Sequence, residues 1–211
     1  MIYCVELFSG NADITKELNK IEGVTCKSVD YNKDYNPDLC INILDIKNIE
    51  ELKKLLNFPR IDFIWASPDC TSYSLAAHGI HRAKGGIPKS EYAKVSDKVN
   101  NHLWKNLLPE NIPFIVENPR AHYRNMPFVK SPKITIYFGQ YEGQSPKPTD
   151  LFTNIPNPEN YFDTKKPRSI GVKQGSTLGL GGINGFLNRC KMPKRFIQDI
   201  CKLVKTLKKG N

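Results

Sequence analysis

The 211 residues carry 31 Lys and Arg against 21 Asp and Glu, for a net charge of +10; 25% are charged and 39% hydrophobic. That length accommodates one domain, at most with an appended lobe, and apolar residues run along the whole chain, which argues against global disorder. The excess of positive charge favours a polyanionic partner, and no apolar run approaches the ~18–20 residues that span a bilayer.

The six cysteines include no Cys-x-x-Cys pair, and the four histidines do not complete a zinc-finger spacing. Reduced thiols are expected, with neither a disulfide framework nor a metal. The opening Met1-Ile2-Tyr3-Cys4-Val5-Glu6 has no basic segment and no small-residue cleavage site, so a cytoplasmic protein is expected.

Residues 2–8 are a short apolar run stopped by Ser9-Gly10-Asn11, read as a first strand. Ile14, Leu18 and Ile21 then share a helical face that ends at Gly23. Val24 to Val29 reads as a second strand ended by Asp30, and Ile41 to Ile46 as a third carrying Asp45. Residues 48–57 form an amphipathic helix, and Phe63-Ile64-Trp65-Ala66 a buried fourth strand. A helix over 90–108 is stopped by Pro109; strands follow at Pro113 to Val116 and Lys133 to Phe138. This alternation predicts an α/β fold with a mostly parallel sheet and helices on both faces. Residues 143–186 are rich in Pro, Gly, Asn and Lys with little periodicity, and are expected to be a functional surface or partly mobile. Residues 193–208 close with a helix whose stripe is Phe196, Ile197, Ile200, Val204 and Leu207.

Five places in this pattern can carry chemistry. The turn Glu6 to Asp13 follows a strand, where open parallel sheets bind ligands and where Gly10 permits close backbone approach. Asp30, at a strand end, can accept from ribose hydroxyls, and Asp45 from an adenine amino group. The three together fit a nucleoside-containing cofactor; no Gly-x-Gly-x-x-Gly is present, which weighs against a dinucleotide. Singly, each has an ordinary reading as a turn glycine or a helix-capping acid. Cys70 lies in the polar loop Ser67 to Ser74 beyond the fourth strand, where a thiol can act as a nucleophile once ionised. Glu117, before Asn118-Pro119-Arg120, can donate to a heterocycle if burial raises its pKa, or can simply pair with Arg120 or Arg124.

In their order, Glu6-Leu7-Phe8-Ser9-Gly10, Asp30, Asp45, Pro68-Asp69-Cys70 with Ser74, and Glu117-Asn118-Pro119 resemble the motifs of the DNA (cytosine-5) methyltransferases. The stretches 117–128, 147–154 and 188–200 are similar to the compact members encoded by bacterial viruses and prophages. The resemblance implies a Rossmann-like methyltransferase fold filling residues 1–211 as one domain. Within it, 143–188 would be a reduced substrate-recognition segment and 193–208 the closing helix. It implies that Phe8, Gly10, Asn11, Asp30, Asp45 and Pro68 hold S-adenosylmethionine. Cys70 would add to carbon 6 of a flipped cytosine in DNA, and Glu117 would hydrogen-bond its ring nitrogen 3 and amine. Ser74, Asn118, Arg120, Lys147 and Arg189 would lie on the substrate side. Three positions depart from the family pattern. Asp69 stands where proline directly precedes the nucleophile, Ala12 stands for a second glycine, and Gln144-Ser145-Pro146-Lys147 stands for a Gln and arginines.

The residues leave two other readings open. One is an amino-methyltransferase, whose loop would share Ser67-Pro68 but needs a following aromatic. The other is a degenerate module that occupies DNA or a host protein. His78 to Gly86 is expected to be a mobile basic loop hinged at its glycines. Lys165-Lys166-Pro167-Arg168, Lys191, Lys194 and Arg195 are candidates to neutralise phosphates.

Overall fold

The structure is a computed structural model that describes residues 1–141, 147–166 and 192–207. Its centre is built from strands that are apolar on both sides. β1 (Ile2–Leu7) pairs in parallel with β2 (Val24–Asp30) on one side and β4 (Phe63–Ala66) on the other. Pairing continues in parallel from β2 to the two-residue β3 (Leu39–Cys40), and from β4 to β5 (Phe114–Pro119). β7 (Pro148–Thr153) lies antiparallel between β5 and β6 (Lys133–Tyr137), giving the order β3-β2-β1-β4-β5-β7-β6. Six strands therefore share one direction and β7 alone is reversed.

The strand pleat sorts the core into two layers. Val5, Leu7, Ile64, Ala66 and Val116 point to one face, against Leu52 of α2 (Ile49–Leu55) and against Leu103, Trp104 and Leu107. Cys4, Phe63, Trp65 and Ile115 point to the other. There they meet Ile14 and Leu18 of α1 (Asp13–Leu18) and Phe196, Ile200, Leu203 and Val204 of α4 (Lys194–Leu207). Parallel strands need cover on both faces, and these helices supply it. α3 (Glu91–His102) starts where the Ser90 hydroxyl accepts from Ala93 N. It runs on into a π-helical turn over Leu103–Leu107, which sets Leu103, Trp104 and Leu107 into the core.

Three expectations are corrected. Ile41 to Ile46 is not a strand: β3 is Leu39–Cys40, and Ile43–Asp45 is a 3-10 turn. The Asn42 side chain accepts from Leu44 N at 3.0 Å, a local bond that competes with sheet pairing and leaves Asp45 exposed. The stretch read as aperiodic contains β7, whose residues 149–153 are buried on both faces and so show no alternation. The His78–Gly86 loop, expected to be mobile, is closed around a buried arginine. Arg82 is fully buried and donates to Ser72 O, Gly86 O and the Asp97 carboxylate. Among the described residues no helix is long and apolar enough to cross a membrane.

Candidate active site

The strand order reverses between β1 and β4, so the chain leaves their carboxyl ends in opposite directions and opens a cleft. The cleft has a volume of about 570 Å3. Its first wall is the turn after β1, where Phe8, Gly10 and Ala12 take left-handed φ values of 56°, 48° and 56°. Left-handed backbone is unusual for Phe and Ala, and the turn is held by specific bonds. Asp30 supplies two of them: Oδ2 accepts from Gly10 N and Oδ1 from Asn32 N, both at 2.9 Å. Ser9 N donates to Val29 O at 3.2 Å. A Cβ on Gly10 would find nothing within 4 Å, so the backbone there opens onto the cleft.

Below this turn Glu6 is buried at the end of β1, and its Oε2 accepts from Thr15 N at 2.7 Å in the first turn of α1. Burial pushes its carboxyl up to about 7, against the opposing pull of the hydrogen bonds from Thr15.

The opposite wall is the loop after β4. Its backbone is fixed from three sides. Asn118, buried in β5, donates from Nδ2 to Pro68 O at 3.3 Å and Asp69 O at 3.4 Å. Arg82 Nε donates to Ser72 O at 2.8 Å. The Asp69 carboxylate accepts from Thr71 N, Ser72 N, and the hydroxyls of Tyr92 and Ser96 on α3. Cys70 lies within this frame, half-buried and on the cleft, and its carbonyl accepts from Ser74 N at 3.0 Å.

Glu117, on β5, reaches the same cleft from the side. It is 6% exposed, and its Oε1 has no hydrogen-bond partner. The nearest cation on it is Lys147 Nζ, 3.9 Å from that oxygen, close enough for an ion pair but too far for a hydrogen bond. Burial raises the Glu117 carboxyl above the ordinary range; Lys147 opposes the rise and Asp150 adds to it. A buried carboxyl oxygen without a donor, facing a cavity, is the arrangement a ligand completes.

The family profile of the C-5 cytosine-specific DNA methylases matches residues 2–128, the stretch that holds the turn, the Cys70 loop and Glu117. The chain belongs to that family. Among solved structures it resembles the Entamoeba histolytica methyltransferase EhMeth, with a TM-score of 0.53 and 14% identity over 80% of this chain and 57% of that one. This shows a shared fold. A protein encoded within an E. coli prophage, assigned as a DNA modification methyltransferase, aligns with a TM-score of 0.49 and 14% identity over 72% of this chain and 46% of its own. The chain thus spans about half the length of these structures. No curated protein matches it.

Of the residues singled out in the sequence, Phe8, Gly10, Asn11, Asp30, Pro68, Cys70, Glu117 and Lys147 line the cleft. Asp45 does not; Asn42 and Ile43 line the wall there instead. The Ser74 hydroxyl turns back to Thr71 O at 3.2 Å, and Asn118 sits behind the Cys70 loop. Arg120 is exposed and donates to the Tyr137 hydroxyl at 3.3 Å. Arg189 lies outside the described residues, as do Gln144 to Pro146, Arg168 and Lys191. Glu6, which opens the predicted turn but was given no role, lines the cleft, as do Tyr92, Ser96 and Asn100, which were not predicted. The last three had a signal: they recur every fourth residue of a predicted helix, a polar stripe on one face. Among the described residues no cluster of His, Cys, Asp or Glu is placed to hold a metal ion.

Proposed function

We propose that this methylase is S-adenosylmethionine-dependent and methylates cytosine at carbon 5 in DNA, with Cys70 adding to carbon 6. The observation that carries the reading is that Cys70 and a buried Glu117 carboxyl oxygen that accepts no hydrogen bond line one cleft, whose far wall is the Gly10–Asp30 turn.

The cleft suits the cofactor. Each Asp30 oxygen accepts one bond within the protein, which leaves each an acceptor site for a ribose hydroxyl. Phe8, Ile41 and Ile43 supply an apolar wall for a base, and Gly10 presents open backbone. Bound there, S-adenosylmethionine supplies an electrophilic methyl group.

The protein's part is to make carbon 5 nucleophilic. A cytosine in a duplex must first leave the stack, because its ring edge is otherwise beyond covalent reach. The Cys70 thiolate then bonds to carbon 6, and the electron pair of the 5,6 double bond is drawn into the ring as an enamine. Glu117, whose carboxyl burial shifts towards holding a proton, donates that proton's hydrogen bond to ring nitrogen 3 and offsets the charge that develops as sulfur adds. Lys147 lies near enough to stabilise Glu117 once that proton is shared. Loss of the carbon-5 proton and expulsion of the thiolate restore the aromatic ring.

Cys70→Ser tests this. The variant should form no covalent adduct with a 5-fluorocytosine duplex and transfer no methyl group. Its affinity for the cofactor product should stay within about twofold, since Cys70 lies on the wall opposite the cofactor turn. A serine variant that retains turnover overturns the role of Cys70. Wild-type protein that binds cofactor but yields no adduct and no bisulfite-resistant cytosine would instead point to a module that occupies DNA without modifying it.

A further inference from the structure

We propose that Asp69 is a positioning residue: its carboxylate fastens the Cys70 loop to α3 through Tyr92 and Ser96 and so fixes where the thiol stands over the cleft. The inference rests on the reading of Cys70 as nucleophile, and goes beyond it by assigning a role to the residue that departs from the family's proline.

The argument begins with acceptor sites. A carboxylate offers about four, two on each oxygen. Asp69 has all four filled. Oδ1 accepts from Thr71 N at 3.0 Å and the Tyr92 hydroxyl at 2.7 Å; Oδ2 accepts from Ser72 N at 3.3 Å and the Ser96 hydroxyl at 3.2 Å. Two of the donors are the backbone immediately after Cys70 and two belong to another element. The carboxylate is thus a four-way joint between loop and helix.

The joint matters because of what it completes. Asn118 holds the carbonyls of Pro68 and Asp69, before the nucleophile. Arg82 holds the carbonyl of Ser72, after it. Without Asp69, the amides of Thr71 and Ser72 would lose their acceptors, and the loop's direct ties to α3 would be reduced to the Thr71 side chain at Tyr92 and, further on, the Tyr73 hydroxyl at Asp97 and Asn100. A proline before the nucleophile restricts the backbone through its ring. Asp69 reaches a comparable restriction by hydrogen bonding, from a residue that keeps its φ freedom. The same four donors stabilise the negative charge where it lies, so the carboxylate does not need the thiol as a partner.

The helix side of the joint is separable from the loop. Tyr92 and Ser96 are one turn apart on α3, and Tyr92 stands at the cleft mouth with 46% exposure. Burial and the bond to Asp69 push its phenol up, so it remains a donor through neutral pH. Tyr92→Phe therefore removes the hydroxyl's bonds to Asp69 and to the Thr71 side chain without touching the loop sequence.

Two measurements test the inference together: hydrogen exchange at the Thr71 and Ser72 amides, and steady-state methyl transfer to DNA. Asp69→Ala should expose both amides to exchange and lower kcat by about tenfold or more. KM for the cofactor should stay within about twofold, because a misplaced reacting group costs rate rather than binding on the far wall. Asp69→Asn keeps one accepting oxygen and should recover most of kcat. Tyr92→Phe should lower kcat by about threefold in wild type and by clearly less in the Asp69→Ala background, where only its bond to the Thr71 side chain is left to lose, the signature of a shared interaction. Should Asp69→Ala not fold, the Tyr92→Phe and Ser96→Ala variants and their double carry the same test. Unchanged kcat, or equal loss of kcat and cofactor binding, would overturn the positioning role. Amides that stay protected without the carboxylate would overturn the joint itself, whether or not the wild-type protein methylates DNA. A wild-type protein without methyl transfer would remove the nucleophile reading and with it the positioning role, while exchange still decides the joint.

Discussion

Arg82→Met is the sharpest test of what holds the Cys70 loop. Methionine preserves much of the apolar stem and removes every donor. Arg82 is fully buried, and its guanidinium lies 4.1 Å from the centre of the Tyr73 ring. It donates to Ser72 O at 2.8 Å, Gly86 O at 2.9 Å, and Asp97 Oδ1 and Oδ2 at 2.6 and 3.2 Å. Breaking a buried ion pair costs about 3–5 kcal/mol when the surviving charge stays buried. Here the surviving charge has relief. The Asp97 side chain is 21% exposed and still accepts from the Tyr73 hydroxyl at 2.7 Å. That moves the charge contribution towards the lower end of the range. The two carbonyls left without donors add about 1 kcal/mol each if they do not find water. A loss of about 3–5 kcal/mol is therefore expected. For a chain of this length, with about 2–4 °C per kcal/mol, the melting temperature should fall by about 6–20 °C. Urea unfolding with an unchanged slope would measure the loss directly. Arg82→Lys, which keeps the charge but not the planar fork, should fall between the two. A loss under about 1 kcal/mol for Arg82→Met would refute the claim that this arginine clasps the loop.

Other perturbations separate the remaining roles. Burial raises the Glu6 carboxyl from 4.5 to about 7, so between those values the folded protein holds a proton the unfolded chain has released. The stability linked to Glu6 is full below pH 4.5 and lost as pH rises through 7. Glu6→Gln cannot ionise and should gain on wild type by on the order of 2–3 kcal/mol above pH 7 and little at pH 4.5. Urea midpoints for the two proteins at both ends of that window check it, and an identical difference at both would refute it. Asp30→Ala should weaken binding of the cofactor product by about 1–3 kcal/mol, as it removes acceptors and the anchor of Gly10. Asp45→Ala, exposed and off the cleft, should leave that affinity unchanged; calorimetric titration of both variants decides. With a net charge of +10, DNA binding should weaken steeply with salt, log affinity falling by about 0.9 per decade of salt for each phosphate neutralised. Affinity that is flat between low and physiological salt would refute an electrostatic interface.

What the sequence made legible follows from how locally each feature is encoded. Strands β1, β2, β4 and β5 announce themselves as apolar runs, because a strand covered on both faces needs no polar alternation. The turn at Gly10 and the Cys70 loop follow from those strands, since each stands just beyond a strand end; Glu117 was read beyond a strand ending at Val116, whereas β5 runs on through it to Pro119. Asp45 misled because Ile41, Ile43 and Ile46 read equally as a strand and as the apolar side of a tight turn. The choice was made by the Asn42 side chain, whose capping is weighed against a partner strand only in three dimensions. Arg82 misled for a related reason. Beside His78, His81 and Lys84 in a glycine-rich loop it looks like surface charge. Only the fold brings Asp97, fifteen residues on, to meet it. Tyr92 and Ser96 were written into a helix whose polar face looks solvated until Asp69 is placed against it.

The reversed strand explains how a cation comes to the cleft edge of the sheet at all. Ligand chemistry in this sheet gathers at the carboxyl ends of the parallel strands, and Glu117 is there because β5 runs with the others. A parallel strand beside β5 would bring its own first residue to the opposite edge. β7 is antiparallel, so its beginning lies alongside the end of β5, with Thr149 opposite Pro119 and Asp150 opposite Asn118. Lys147, one residue earlier, is thereby delivered within 3.9 Å of Glu117. The same reversal brings in the buried Asp150, whose charge pushes the Glu117 carboxyl up. Arg124, from the turn after β5, grips both Asp150 oxygens at 2.6 and 2.8 Å and neutralises that charge in place. One inverted strand thus sets the two nearest charges on Glu117, a cation at the mouth and a compensated anion behind. Their balance, with burial, governs when that carboxyl holds its proton.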